Sequence, residues 1–381
     1  MRLRYAIPTI RAKTAKLSQS RIRQITIVLL VAFIGSVLLQ RSYAATHAVS
    51  VEAESGVTSG NASKLTGQAG ASGNSTVQFK AAVTSAGCQG APMTPGGSDG
   101  MGGCFPGAFN TGYPHGLPGD TRTPVTLTNY TGSCTVGTGT TVTIDSKNVN
   151  CSSEGLFVYG TLIVRNSFIR GEVYQNSNSA VVNLTDTEVD GLNQLIFPTV
   201  GGGKNLTALR VNSHGGQHTF MCYGNCDIQD SWAHDQTEGG TAPHQNGFLS
   251  NSGSNYVIRH NSLHCTTNGC TADLAFTADG NTTNAVIDKN LLVASPGSSY
   301  CLYPSSSDSK PSAIFTQIKV TNNIFQRGTY KSPEGPYKGQ YVCATYGPVY
   351  GWDQPNNNPG TNGYQNVWSN NKYDDGTIIN P

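Results

Sequence analysis

Histidines are concentrated in one stretch of this 381-residue chain. Six of the eight lie between residues 214 and 264, namely His214, His218, His234, His244, His260 and His264. Because imidazole exchanges protons near neutral pH, such a cluster is typical of a site for general acid–base chemistry. Within it, the segment 231–251 (SWAHDQTEGGTAPHQNGFLSN) adds the carboxyl groups of Asp235 and Glu238. The candidate catalytic residues, His234 among them, are therefore placed in this part of the chain.

A lyase acting on a uronic acid polymer is the reaction that this abundance of histidine favours. Such an enzyme needs a base beside the substrate carboxylate, a cation that neutralises that carboxylate, and an acid for the leaving oxygen. His218 or His244 is the candidate base, and Arg259 or a bound Ca²⁺ is the candidate neutralising group. A glycoside hydrolase is the second alternative, and it needs two carboxylic acids facing each other across the bond. The carboxyl groups available for it are those of Asp235, Glu238 and Asp273.

Aromatic residues support another alternative, in which the protein binds polysaccharide on a cell surface without catalysis. Aromatic side chains combine an apolar ring with a polar edge, which suits stacking on sugar rings. The aromatic candidates are Trp232, Trp352, Trp368 and the tyrosine-rich segment 337–350. The polar candidates for contact with substrate are Arg259, His264 and Lys289.

A six-residue pattern recurs from residue 144 onward and indicates the fold that must position these side chains. It reads apolar, any, any, Asn/Ser/Thr, any, apolar, as in VRNSFI (164–169), IRHNSL (258–263) and VTNNIF (320–325). Nine copies begin 19 to 47 residues apart, and a constant core with loops of variable length is typical of a solenoid. The leucine spacing and helical segments of a leucine-rich solenoid are absent. We therefore predict an all-β, right-handed parallel β-helix of about nine coils.

The fourth position of the pattern is polar in the copies that carry it most clearly. It is occupied by Ser167, Thr187, Asn212, Ser231, Asn261, Asn290, Asn323 and Asn370. Asparagine tolerates left-handed backbone angles at a sharp bend, and its amide can hydrogen-bond the same amide one rung away. The pattern therefore predicts a polar ladder at a corner of the solenoid. The sixth position points inward, which would make His214 a core residue.

Stacking of the rungs predicts a column of histidines on an outer face. Neighbouring strands lie ~4.8 Å apart, and His234 and His264 both follow the pattern in successive rungs. These two side chains should therefore lie one above the other, over Arg170 and Asp190 in the rungs below.

A second column is predicted on the strand that precedes each copy of the pattern. Aligning HTFMC (218–222), NGFLS (246–250) and ADLAF (272–276) brings together His218, Asn246 and a site near Asp273, with His244 two residues before Asn246. Convergence of these four side chains in a cleft would favour catalysis. Divergence on a flat face would favour binding.

The rungs resemble bacterial right-handed parallel β-helix proteins of the pectin-lyase-like group. The segment YTGSCTVGTGTTVTIDSKNVNC (130–151) is similar to the opening of secreted members, which implies that its two cysteines staple the first coil. His244-x-Asn246-Gly247 resembles the H-x-D-G strand start of this group, whose active clefts usually lie on the outer face of that strand. Here Asn246 replaces the aspartate and removes a carboxylate. The group contains lyases, hydrolases, epimerases and non-catalytic surface proteins, so the resemblance implies a fold and not one activity.

The residues before the β-helix divide into three further segments. Residues 46–80 include VEAESGVTSGNASKL and ASGNSTVQF, which resemble the edges of a jelly-roll carbohydrate-binding module, although about 30 residues leave no room for the remaining strands. This segment is expected to form a short β cap or extension. Residues 81–124 are rich in glycine and proline and are expected to form a connector to the β-helix of residues 125–381. Residues 1–45 have the order of an export signal.

That export signal has a basic start, a 15-residue apolar run from Ile25 to Leu39, and small residues at Ser42 and Ala44. This order is typical of a cleaved signal peptide, with an uncleaved membrane anchor as the alternative. Either way the rest of the chain should lie outside the cytoplasm, in contact with the membrane only through such an anchor. We expect it to be a monomer.

Charge is sparse and unevenly distributed. Asp, Glu, Lys and Arg make up only 12% of the chain, which excludes a coiled coil or a long helical bundle. Eight of the 24 basic residues and none of the 22 acidic residues lie in residues 1–45, so the remainder carries a formal charge of −6. An acidic protein of this kind is not expected to bind nucleic acid. Extracellular polysaccharide is the expected partner.

The ten cysteines all follow the export signal, and an even number in a secreted chain indicates disulfides. Pairing of near neighbours would join Cys88 to Cys104, Cys134 to Cys151, Cys222 to Cys226, Cys265 to Cys270 and Cys301 to Cys343. Sequence alone leaves this connectivity open. Zinc binding, with His234 or His264 beside cysteines, is the less favoured alternative because paired CxxC motifs are absent.

Overall fold

The structure, a computed structural model, describes residues 87–151, 155–193, 198–237, 244–304, 312–352 and 365–381, and the backbone of two strands at 62–66 and 75–79. Residues 1–45, the predicted export signal, and Glu238 lie outside the described residues. Within the residues that are described, no helix has the length and apolar character needed to cross a bilayer.

The chain forms two compact units, residues 1–80 and 81–381. In the first unit, strands β1 (Ala62–Thr66) and β2 (Ser75–Phe79) pair antiparallel, with Ala62 opposite Phe79. The segment 46–80 thus contains a pair of strands, and its role as a cap stays a prediction.

The second unit is a parallel β-helix built from three sheets, so the predicted fold class is confirmed. Sheet I contains β5 (Thr141–Asp145), β8 (Thr161–Arg170), β10 (Val181–Asp190), β12 (Leu206–Leu209), β15 (Cys226–Gln229), β18 (Gly253–Arg259), β21 (Thr282–Asp288), β24 (Phe315–Thr321) and β27 (Val367–Ser369). Sheet II contains β3 (Thr128–Asn129), β6 (Lys147–Asn150), the second halves of β8 and β10, β13 (Asn212–His214), β16 (Trp232–His234), β19 (Ser262–Leu263), β22 (Leu291–Leu292), β25 (Ile324–Phe325) and β28 (Lys372–Tyr373). Sheet III contains β4 (Thr135–Val136), β7 (Leu156–Val158), β9 (Val173–Gln175), β11 (Pro198–Gly203), β14 (His218–Cys222), β17 (Gln245–Ser250), β20 (Cys270–Phe276), β23 (Tyr300–Tyr303) and β26 (Gly347–Val349). A short 3-10 helix, Gly335–Tyr337, precedes β26.

Apolar side chains stack in register to form the core. In sheet I, Ile228, Ile258, Ile287 and Val320 lie opposite one another in four successive rungs, and each is at most 1% exposed. Complete burial of such a side chain stabilises a fold by about 1.5–3 kcal/mol. The pattern therefore recurs because the same position of each rung packs in one continuous stack.

A left-handed residue turns each rung from sheet I into sheet II. Its φ angle lies between 47° and 58° at Ser146, Asn166, Asp186, Arg210, Asp230, His260, Lys289, Asn322 and Asn370. From Asn166 onward the residue that follows is buried and forms the predicted ladder, in which Asn290 Oδ1 accepts from the backbone N and the Nδ2 of Asn261, each at 3.0 Å. Asparagine therefore serves two separate positions, the bend and the ladder.

Two of the predicted ladder positions were wrong by one residue. Val211 and Asn371 lie in the ladder, while Asn212 pairs with Trp232 on sheet II and Asn370 is the left-handed residue. The pattern could not distinguish Ala208 from Leu209 as its first apolar residue, and a shift of one residue turns every side chain to the opposite face.

All ten cysteines are paired in the described structure, so none remains as a thiolate for zinc. The five disulfides join the near neighbours that sequence separation favoured, namely Cys88–Cys104, Cys134–Cys151, Cys222–Cys226, Cys265–Cys270 and Cys301–Cys343.

The expected connector is part of the same compact unit as the β-helix. Its described part, residues 87–124, is called the strap. Phe105 of the strap is fully buried among Leu291, Val293 and Ile324 of the outer face of sheet II. Gly112, with a φ angle of 72°, lies so close to that face that an added Cβ would be 3.2 Å from the Asn212 side chain. The strap therefore covers part of sheet II, and its role as a connector to residues 46–80 stays a prediction.

Candidate functional site

The predicted histidine column lies on the outer face of sheet II. Backbone pairing places Arg170, Asp190, His214, His234 and then His264 in successive rungs. Ala233 pairs with Leu263, so His264 follows His234 in the next rung of the column. In this column His214 lies between Asp190 and His234. It was expected in the core, but its copy of the pattern is shifted by one residue, which turns the side chain outward.

Both ring nitrogens of His234 are engaged. Nδ1 lies 2.8 Å from Asp235 Oδ2, and Nε2 lies 2.8 Å from Asn212 Oδ1. The ring stacks on the indole of Trp232 at a centroid distance of 3.6 Å, and burial lowers the pKa of His234. Both nitrogens are therefore occupied by contacts within the protein, and a catalytic role for His234 stays a prediction.

Glu188 links the histidine column to the strap. Its carboxylate lies 3.2 Å from His115 Nε2 of the strap and 3.3 Å from His214 Nε2. Burial raises the pKa of Glu188, but the two histidine contacts outweigh burial and lower that pKa to about 2. Sequence reasoning missed Glu188 and His115 because neither lies in the histidine-rich stretch and the contact joins distant parts of the chain.

A second ionic contact fastens the strap at the corner between sheets I and II. The His260 ring lies 2.6 Å from Asp230 Oδ1 and 3.3 Å from Asp99 Oδ2 of the strap. Burial lowers the pKa of His260, but the two carboxylates outweigh burial and raise it to about 9. A raised histidine pKa stabilises the fold fully below pH ~6.5, and this contribution is lost as the pH rises through the folded value. The contact of His260 with Asp99 and Asp230 therefore stabilises the packing of the strap on the β-helix.

Three residues of the second predicted column meet where strands β14 and β17 of sheet III begin. His218 and Asn246 lie opposite each other in β14 and β17, with His218 Nδ1 3.3 Å from Asn246 Nδ2, which also donates to the His244 carbonyl. His218 is only 6% exposed, and burial lowers its pKa to about 4. The His244 side chain is exposed, and its Nδ1 lies 3.2 Å from Thr271 Oγ1. A role for these histidines as the base of a lyase stays a prediction.

Asp273 does not join this column. The residue that pairs with Asn246 in the next rung is Ala272. Asp273 is its neighbour along the strand and therefore faces the opposite side. Asp273 is fully buried, and its Oδ1 accepts from the Cys265 amide at 2.8 Å and from Ser295 Oγ at 3.0 Å. Burial raises the pKa of Asp273 well above its ordinary value, so the folded protein favours the protonated form of this enclosed carboxyl group.

The cationic candidates lie away from the histidines of sheet III. Arg259 ends strand β18 of sheet I, where its Nε is 3.4 Å from Asp288 Oδ2. Lys289 is the left-handed corner residue between sheets I and II. The candidate base and the candidate neutralising group of a lyase are therefore on different sheets.

An open groove of about 530 Å³ lies beside the last two strands of sheet III. Its described lining is Ser299, Tyr300, Tyr303, Glu334, Gly335, Pro336, Tyr346 and Tyr350. A second hollow, of about 260 Å³, shares four of these residues and adds Tyr337, Val349, Gly351, Trp352 and Pro381. We call the two together the tyrosine groove. Segment 337–350 was a candidate from its composition, whereas Tyr300 and Tyr303 were missed because they lie one rung earlier.

Tyr300 is at the centre of the aromatic packing in the tyrosine groove. Its ring centroid lies 5.0 Å from that of Tyr350, 5.3 Å from that of Tyr303 and 5.8 Å from that of Tyr346. Tyr346 is 37% exposed, and the other three are half-buried. None of these four hydroxyls is hydrogen-bonded to another residue that the structure describes. The groove therefore offers ring faces and hydroxyl groups to a ligand.

An apolar column leads away from the tyrosine groove along the outer face of sheet III. Residues paired in register from rung to rung are Phe157, Tyr174, Gly201, Met221, Leu249, Ala275 and Tyr303. Met221, Leu249, Ala275 and Tyr303 form an apolar cluster separate from the main core. Met221 and Tyr303 are half-buried, whereas Leu249 and Ala275 between them are buried, so the column does not extend the open surface of the groove.

The tryptophans have different surroundings from those expected. Trp352 is 6% exposed and belongs to the main core, although it also borders the smaller hollow. Trp368 donates its Nε1–H to the Ile379 carbonyl at 2.8 Å. Together with the stacking of Trp232 on His234, these contacts leave the tyrosines as the accessible aromatic surface of the groove.

Among the residues that the structure describes, no three His, Cys, Asp or Glu side chains are placed to share a metal ion. No family model matches the chain, and no curated protein or solved structure shows a significant similarity to it. The geometry of the described residues therefore carries the functional argument.

Proposed function

We propose that this protein is an extracellular polysaccharide-binding β-helix protein whose binding site is the tyrosine groove. The observation that carries the proposal is the packing of Tyr300, Tyr303, Tyr346 and Tyr350 around an open groove of about 530 Å³. A volume of this size suits a ligand of a few hundred daltons, such as a few sugar units of a longer chain. Five disulfides are consistent with a protein that functions outside the cytoplasm.

Tyrosine rings match the two surfaces of a sugar. A pyranose ring has an apolar C–H face and a hydroxyl-rich edge, and tyrosine supplies an aromatic face together with a hydroxyl that donates and accepts. Because Tyr300 and Tyr303 lie in strand β23 and the other two rings pack against Tyr300, little conformational entropy is lost when a ligand binds.

Binding is favoured over catalysis by where the candidate catalytic groups lie. His218 and His244 are beside sheet III, Arg259 is paired with Asp288 on sheet I, and Asp273 is enclosed. A lyase requires its base and its neutralising cation at one sugar unit. The activity of a uronate lyase, the resemblance to the pectin-lyase-like group, and the monomeric state all stay predictions.

Substitution of Tyr300 tests the proposal. The protein obtained from expression of the full chain would be titrated calorimetrically with soluble β-glucan, galactomannan, xyloglucan, polygalacturonate and alginate. Because Tyr300 contacts three other rings, Tyr300→Ala should weaken binding of any bound polymer at least about tenfold, or ~1.4 kcal/mol.

Tyr341→Ala is the matched control, since Tyr341 is 48% exposed but lines neither hollow. This variant should bind as tightly as the unsubstituted protein. Equal binding by the Tyr300 variant, or no binding of any polymer by the unsubstituted protein, would overturn the proposal.

A further inference from the structure

The charged groups of the tyrosine groove distinguish between classes of polysaccharide. Its described lining contains the exposed carboxylate of Glu334 and no lysine or arginine. Recognition of a carboxylate in proteins relies on a guanidinium, an ammonium or a metal ion that offsets its charge. The groove therefore lacks, in its described lining, the partner that each unit of a uronate polymer would need.

The tyrosines do not supply a positive charge, because their hydroxyl groups are neutral. Burial raises the pKa of Tyr300, and the nearby Tyr350, Tyr346 and Glu334 raise it further. Burial also raises the pKa of Tyr303. Both phenols stay neutral at physiological pH and offer hydrogen bonds, which match hydroxyl groups of a sugar.

Arg259, the candidate for binding a uronate carboxylate, is not part of the tyrosine groove. Arg259 lies on sheet I beside Asp288, whereas the groove lies against the last strands of sheet III. Beyond residue 45 the chain carries a formal charge of −6, so its overall field repels a polyanion.

We infer that the tyrosine groove takes a neutral glycan and disfavours polymers of uronic acids. This inference rests on the proposed function and specifies its ligand. It departs from the expectation of a uronate polymer that the histidine-rich stretch suggested. A uronate residue stacked on Tyr300 or Tyr346 would place its carboxylate near Glu334, and like charges in a partly desolvated groove oppose binding.

A matched pair of polymers isolates the effect of charge. The neutral polymer that binds in the titrations would be compared with the same polymer after oxidation of its C6 hydroxymethyl groups to carboxylates. The oxidised form should bind the unsubstituted protein at least tenfold more weakly. Glu334→Lys should reduce this difference, and Glu334→Gln should reduce it less, because only the lysine supplies a positive charge.

The outcomes separate the inference from the proposed function. Equal or tighter binding of the oxidised polymer, lost in Tyr300→Ala, would overturn the neutral-glycan inference and leave the groove as the binding site. If no polymer, neutral or oxidised, binds in a manner that depends on Tyr300, the proposed function fails and the inference fails with it.

Discussion

The carboxyl group of Asp273 is buried between the rungs, and its Oδ2 has no hydrogen-bond partner among the described residues. An ionised carboxylate in that position would lose its hydration without gaining a cation. Burial therefore raises the pKa of this group and favours the neutral acid in the folded protein, while the unfolded chain ionises it at an ordinary carboxyl pKa. Residue type alone made Asp273 a catalytic candidate. Its burial depends on the Cys265 and Ser295 loops, which no local pattern describes.

Replacing Asp273 by asparagine should remove this proton linkage. Between pH ~3.9 and the raised folded pKa, the folded state binds one more proton than the unfolded state, so stability falls as the pH rises. In urea unfolding, Asp273→Asn should be more stable than the unsubstituted protein at pH 7 and should lose that advantage below pH ~3.9. Polymer binding should be unchanged. A variant that is less stable at pH 7 and shows the same pH dependence would contradict this assignment.

The buried asparagine ladder is the element that joins one rung to the next at the corner between sheets I and II. Asn290 accepts from the backbone and side chain of Asn261 and donates to the Ile258 carbonyl at 2.8 Å. These polar groups have no access to water, so each depends on the amide of the neighbouring rung. The sequence pattern predicted such a ladder from the recurrence of asparagine, and the missing detail was its register at two of the rungs.

Asn290→Ala should destabilise the protein by about 3 kcal/mol, because it leaves a buried carbonyl and a buried amide unpaired at about 1–3 kcal/mol each. Urea unfolding monitored by tryptophan fluorescence measures the change. Asn284→Gly is the control, since Asn284 belongs to an exposed asparagine ladder and glycine tolerates its φ angle of 54°. That variant should lose no more than about 1 kcal/mol. Equal losses in the two variants would show that burial is not what makes the inner ladder stabilising.

At the scale of the whole molecule, the repeat and the cysteine spacings determined most of what could be predicted. Nine recurring units predicted the stacked sheets, and near-neighbour pairing predicted five disulfides that the structure contains. The strap and the tyrosine groove were beyond such reasoning. Both depend on contacts between side chains that are distant in sequence, such as Glu188 with His115, or Tyr300 with Tyr350.

The low charge of the chain has a structural explanation at the same scale. Stacked rungs pair their strand edges with neighbouring rungs and expose turns, in which asparagine, serine, threonine and glycine satisfy the backbone, so few charged residues are needed. Several charges that are present hold the strap, as with Asp99, Glu188 and Arg122, the last 2.7 Å from Asp186.

Amide hydrogen exchange with and without saturating neutral polymer tests the central claim most directly. The polymer would be whichever of β-glucan, galactomannan and xyloglucan binds most tightly. The proposed site predicts slower exchange in residues 299–303 and 346–350, and unchanged exchange in residues 226–234 on sheets I and II. Protection of the histidine-rich residues 231–237 or 244–250 in place of the groove would contradict the account.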